Sequence, residues 1–219
     1  RRFDVVLYVN GLPLAVVELK NASDPRTTLA GAHAQLGTYA EEFPKAFRYN
    51  VLCLVSDGVT AKYGTPFTPF EHFAPWNVDG QGNPAGSPAF EYEDADAPDA
   101  LALALRGLFD QARFLDLARN FVNFTSTGSS HGKRVAKAHQ YFAVNKALTS
   151  VVEASRTNAQ AGVVWHTQGS GKSEEMVCLS GLVAREPALN NPTIVVITDR
   201  NDLDDQLLGT FQASRELLG

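Results

Sequence analysis

The chain has 219 residues, 44% hydrophobic and 20% charged, with a net charge of −5. That composition builds an ordinary core, excludes a disordered chain and argues against a generally basic nucleic-acid coat, although a local groove can be basic on an acidic protein. The longest apolar runs, VLCLV and TIVVIT, fall far short of the roughly 20 residues that span a bilayer, so no membrane role is expected. No signal-peptide pattern is present. The opening RRFD, without an initiating Met, reads as the start of an internal segment. Cys53 and Cys178 sit in apolar runs without metal-ligand company and read as buried thiols of a cytoplasmic protein.

In chain order, RRFDVVLYVNGLPLAVVELK reads as strand–turn–strand. TTLAGAHAQLGTYAEEF follows as a helix, with Leu29, Ala32, Leu36, Tyr39 and Ala40 near helical spacing and Pro44 ending it. RYNVLCLVSDG is a buried strand, and Thr65 to Pro98, rich in Pro, Gly and aromatics, reads as loops. DALALALRGLFDQARFLDLARNF is a helix or helix pair, and the small polar TSTGSSHGK is a hinge. Beyond it KRVAKAHQYFAVNKALTSVVEAS is a long amphipathic helix. AGVVWHTQGSGKSEEMVCLSGLVARE is then strand–loop–helix, and NPTIVVITDRNDLDDQLLGTF a further strand and helix. Alternating strands and helices predict an α/β fold with a parallel sheet in this half. The expected organisation is a first domain over 1–120, a linker over 121–133 and a second domain over 134–219.

The clearer site is HTQGSGKS. Gly169 and Gly171 let successive backbone N–H groups turn inward around an anion, and the following helix adds its N-terminal dipole. This is the pattern of a phosphate-binding loop, with Thr167, Gln168 and Ser170 completing it. Lys172 would reach the β/γ-phosphates of ATP and Ser173 would ligate Mg²⁺. His166 stands where such loops usually begin with Gly. Glu174 and Glu175 follow Ser173, where their charge suits a helix start but opposes a triphosphate. A second Gly-Lys pair, GSSHGKR around Lys133, lacks both the Ser/Thr and a preceding apolar strand and is rejected.

The other site lies in the opening hairpin. Asp4, Glu18 and Lys20 interrupt strands otherwise filled with Val and Leu. Two carboxylates can bind Mg²⁺ through oxygen, and a nearby ammonium can neutralise charge growing on a phosphodiester. A strand ending in Glu and Lys is also often a plain solvated edge. Geometry discriminates. A strict two-residue turn sets Val9 opposite Leu12 and Asp4 opposite Val17, which sends Glu18 to the other face. Bringing Asp4 and Glu18 together needs one extra residue, in the loop or as a bulge at Pro13. Gln35 and Tyr39, one helical turn apart, either belong to core and surface or support that site. His33 and His139 have no second His or Cys at ligand spacing and read as surface or packing histidines.

Together RRFDVVLYVNGLPLAVVELKN, QLGTY, FRYNVLCLVSDG, HQYFAVNKA, GVVWHTQGSGKS and NPTIVVITDRNDLDDQL resemble the restriction (R) subunit of Type I restriction–modification enzymes, in order and over essentially the whole chain. The resemblance implies a PD-(D/E)xK nuclease-like mixed sheet flanked by helices, with Phe3-Asp4 in place of Pro-Asp. Asp4 and Glu18 would then hold Mg²⁺, Lys20 would assist hydrolysis, and Gln35 and Tyr39 match a Q-x-x-x-Y element. It implies next the first part of a RecA-like lobe of a superfamily-two motor. In that lobe Gln140 matches the glutamine that reads adenine, and Asp199 to Gln206 match a segment near the DNA backbone.

Family members usually carry Leu-Thr where this chain has Glu174-Glu175. No Asp-Glu-Ala-His-type box occurs, and an upstream helix of the nuclease fold is expected to be missing. The implied activity of the whole subunit is ATP-driven translocation of double-stranded DNA with Mg²⁺-dependent cutting. Its implied partners are specificity and methyltransferase subunits, since no base-reading helix or zinc finger is visible here. Two rival readings are a translocase lobe carrying a degenerate, non-cutting assembly domain, and an ATP-binding regulator without DNA chemistry.

Overall fold

The structure is a computed structural model that describes residues 2–24, 27–92, 98–127, 130–199 and 201–218. Its N-terminal half is a four-stranded mixed sheet of β1 (Val5–Val9), β2 (Leu12–Leu19), β3 (Leu52–Ser56) and β4 (Ala61–Gly64), in that spatial order. β1 and β2 form a hairpin through Asn10-Gly11, whose positive φ values of 50° and 80° suit a tight two-residue turn. β2 and β3 run parallel, which demands a crossover. Helix α1 (Leu29–Glu42) provides it, capped where the Thr28 hydroxyl accepts from Gly31 N. Pro44 does more than end this helix. It opens the short α2 (Pro44–Phe47), a position where a missing N–H costs nothing.

The two faces of the sheet have different coverings. Val16, Cys53 and Val55 meet Ala32, Leu36 and Tyr39 of α1. Ala15, Val17, Leu52, Leu54 and Tyr63 face a larger core with Trp76, Leu108, Phe114 and Leu117. The last three come from the expected helix pair, α3 (Ala100–Leu108) and α4 (Gln111–Asn120). The pair is broken where Asp110 turns its carboxylate onto Arg113 N to start α4. Strands β2 and β3 are buried on both faces, so they read as apolar runs rather than alternating ones.

Three expectations need correction. The stretch 121–133 is no bare linker: β5 (Val122–Thr127) and β6 (Ser130–Val135) form an antiparallel hairpin through it. Small polar residues hid it, because the hairpin is held from its base, where Phe121 and Val122 enter the larger core. The long helix expected from Lys133 accordingly begins only at Ala138, as α5 (Ala138–Ser155).

The third concerns the parallel sheet of the C-terminal half. Helices α6 (Lys172–Arg185), α7 (Asn201–Ala213) and α8 (Arg215–Leu218) are present. Among the described residues, however, no strand forms in 161–167 or 193–198. Trp165 and Ile197 are each 88% exposed. A strand needs a neighbour to satisfy its backbone groups, and neither segment has one among the described residues.

Candidate active site and phosphate-type loop

The N-terminal cluster is set by one irregularity. Val9 pairs with Leu12 and Tyr8 with Pro13, but Leu7 pairs with Ala15 and Val5 with Val17. Leu14 is therefore the extra residue, one place from Pro13, and the bulge moves Asp4 opposite Glu18. The two acidic groups consequently share one face of the sheet. The Asp4 carboxylate accepts from Leu19 N at 2.9 Å. Lys20 Nζ donates to Glu18 Oε1 at 2.8 Å and to Gln35 Oε1 at 2.6 Å. Gln35 Nε2 in turn donates to the Tyr39 hydroxyl, which donates to Arg2 O at 3.0 Å. Asp4, Glu18, Lys20, Gln35 and Tyr39 thus fall in one polar group at the end of β2, under α1.

Electrostatics there are in tension. Burial pushes the Glu18 carboxyl above its ordinary value; the Lys20 hydrogen bond draws it back, and the neighbouring Asp4 charge raises it again. Glu18 Oε2 is buried without a hydrogen-bond partner. A buried, unpaired carboxylate oxygen beside a second carboxylate is a costly arrangement that a divalent cation would relieve, so the residues present fit Mg²⁺.

The second cluster is the loop before α6. Gly169 and Gly171 take φ of 80° and 88°, a left-handed conformation that other residues resist. A Cβ on Gly171 would also lie 2.3 Å from Gln140 Nε2. The Gln140 amide is committed to this loop. Its nitrogen donates to Ser170 O at 3.0 Å and Gly171 O at 3.3 Å, while its oxygen accepts from Lys137 N. Lys172 Nζ donates to the His166 and Thr167 carbonyls, at 3.0 and 2.9 Å. Gln168 is exposed, Ser173 is half-buried, and Ser170 Oγ is buried without a partner.

The two glutamates after Ser173 are both engaged. Glu174 accepts from Asn123 Nδ2 at 2.9 Å and pairs with Arg134, which fastens α6 to the β5–β6 hairpin. Glu175 is buried and lies 2.7 Å from His166 Nδ1. His33 is a packing residue, edge-on to Phe73 and bonded to Thr68 O. His139 is not merely that: its Nε2 comes within 4.0 Å of Glu175, beside His166. Asn123, Arg134 and the His139–His166–Glu175 group were missed from sequence because the partners come from separate elements and no spacing rule links them. Both cysteines are buried and free, their thiols pushed up to about 12 by burial.

The chain is an α/β protein with an acidic strand-end cluster and a glycine-bearing loop at a helix start, and known families match the segments that carry them. Residues 1–72 match the family described as Type I restriction enzyme R protein N terminus, and residues 139–217 match the SWI2/SNF2 ATPase family. The Type I restriction enzyme HindI endonuclease subunit of Haemophilus influenzae is 41% identical over 98% of this chain and 20% of its own length. The MjaIXP endonuclease subunit, assigned to a type I restriction enzyme of Methanocaldococcus jannaschii, is 28% identical over 97% of this chain and 21% of its own. A Staphylococcus aureus relative, Type I restriction enzyme SauCOLORF180P endonuclease subunit, is 26% identical over 94% and 20%. Over nearly its whole length the chain is thus similar to endonuclease subunits of Type I restriction enzymes. The chain spans about a fifth of the length of the relatives it matches.

Proposed function

We propose that the chain is the cutting and motor-entry segment of an ATP-dependent restriction endonuclease, with the N-terminal sheet as a PD-(D/E)xK-like nuclease. The observation that carries this is the Leu14 bulge, which turns Asp4 and Glu18 to one face beside Lys20. Asp4 and Glu18 would hold Mg²⁺. Once bound, the ion supplies positive charge against the phosphodiester being cut. Lys20, already oriented by Glu18 and Gln35, holds its ammonium where negative charge grows on the phosphate and can position the attacking water. Tyr39 fixes Gln35, so the pair acts by aiming Lys20.

Thr167 to Ser173 would receive ATP, with Ser173 as the ligand of its Mg²⁺. Lys172 must then leave the carbonyls of His166 and Thr167 for phosphate, and Gln140 reads adenine only on giving up its loop carbonyls. Support for an ATP-driven motor part is the SWI2/SNF2 ATPase match. The proposed substrate is double-stranded DNA, in a cytoplasmic complex with specificity and methyltransferase subunits. No helix among the described residues is long and apolar enough to cross a membrane.

The test is Lys20→Ala in the complete subunit with its partner subunits. Cutting should fall about 10²–10³-fold, the usual cost of one transition-state contact, while DNA-stimulated ATPase persists. Unchanged cutting would favour a degenerate assembly domain. No ATPase in the parent protein, with Lys172→Ala as control, would favour a regulator.

A further inference from the structure

We infer that His139, His166 and Glu175 form a binding site for a divalent transition-metal ion of the zinc class, joining α5, the loop before α6 and α6 itself. One ligand atom from each lies within 4.8 Å of the other two. Glu175 Oε1 is 2.7 Å from His166 Nδ1 and 4.0 Å from His139 Nε2. The two imidazoles stand edge to face, centroids 5.1 Å apart at 85°. Zinc holds nitrogen and carboxylate oxygen at about 2.0–2.1 Å, so tetrahedral donors sit roughly 3.4 Å from one another. The two measured edges bracket that value and the third does not exceed 4.8 Å, so small side-chain shifts bring all three atoms to ligand spacing.

The chemistry selects the ion. Two imidazoles and a carboxylate suit zinc or its neighbours, with a fourth position left for water. They do not suit Mg²⁺, which takes oxygen, so this site is distinct from the one proposed at Asp4 and Glu18. Glu175 is 7% exposed, and a buried carboxylate demands a positive partner. His139 is 41% exposed, which gives an ion a way in. The nearby Lys172 ammonium faces the His166 and Thr167 carbonyls, and Glu174 is taken by Arg134 and Asn123, so neither competes. On binding, the ion replaces the proton shared by His166 Nδ1 and Glu175, which leaves to solvent; His139 gives up its Nε2–H bond to Ser170 O and takes the Nδ1–H tautomer, through solvent, so that the Nε2 lone pair meets the ion. The site does not require that the loop bind nucleotide.

Co²⁺, added to the metal-free full-length protein as a coloured stand-in for zinc, tests this. The expected result is a visible absorption band that saturates, is bleached by Zn²⁺, and persists in Glu18→Gln. In Glu175→Gln and His139→Ala the apparent affinity should fall by at least about 10–100-fold, the loss already seen when only a ligand's supporting partner is removed. No band, or one unchanged in His139→Ala, overturns the proposal. His139→Ala decides alone if Glu175→Gln does not fold, since its side chain is half-exposed and its metal-free melting temperature should match the parent.

Discussion

Glu18 is only 1% exposed, faces a second carboxylate, and keeps one oxygen without a hydrogen bond. Its carboxyl is raised, so the folded chain holds this proton more tightly than the unfolded chain does. The contribution of Glu18 to stability is therefore most favourable below its ordinary value of 4.5 and declines as pH rises through the raised one. Glu18→Gln should flatten that decline in thermal melts followed against pH without divalent ions. Adding Mg²⁺ at about a hundred times its dissociation constant should raise the parent melting temperature by about 5–10 °C, from roughly 2.7 kcal/mol of linkage, and leave the variant unmoved. An equal rise in both would remove Glu18 from the ion's ligands.

At the scale of elements, the hairpin shows how one residue governs a face. Side chains alternate along a strand, so a single-residue shift reverses every one of them. Inserting one residue between Asp4 and Val5 should leave the pairing of Val5–Val9 with β2 intact and set Asp4 opposite Leu19, on the other face. The outcome to measure is cutting by the complete subunit. It should drop by at least about 10²–10³-fold, with ATPase retained and far-UV circular dichroism close to the parent. Full cutting by the insertion variant would show that Asp4 and Glu18 need not share a face. The need for the extra residue was legible from the positions of Asp4, the Asn-Gly turn and Glu18. Its location at Leu14 rather than Pro13 was not, because packing on both faces of β2 decides which residue is left unpaired. The 161–167 and 193–198 segments, which have no strand partner among the described residues, make the complementary point: apolar runs announce strands, but neighbours make them.

Across the whole molecule, a single larger core runs from Ala15 and Leu54 in the sheet to Val177 and Cys178 in α6 and Leu217 in α8. Buried polar contacts cross the same boundary. The Tyr63 hydroxyl donates to Ala136 O at 2.8 Å, and Thr65 Oγ1 donates to Lys133 O at 2.7 Å. Tyr63→Phe leaves a buried carbonyl unpaired and should cost about 1–3 kcal/mol. That lowers the melting temperature by roughly 2–4 °C per kcal/mol in a chain of this size. Both halves should shift together when tryptophan fluorescence and circular dichroism are followed in parallel. Two separate transitions, with only the first shifted, would mean that the halves unfold independently despite the shared core.

The sequence by itself determined the local events: the Asn-Gly hairpin, the helix at Leu29, the buried β3, the helix pair and the glycine loop before Lys172. Each follows from periodicity, turn chemistry or capping within a few residues. It also named the five polar residues that gather between β2 and α1, through the acidic strand pattern and the family resemblance rather than through strand period, which by itself sends Glu18 away from Asp4. Tertiary structure alone decided the β5–β6 hairpin, the commitment of Gln140 to the loop, the pairing of Glu174 with Arg134, and the meeting of His139, His166 and Glu175. Those contacts join residues from separate elements, and their geometry exists only once the core has fixed how the elements lie against each other.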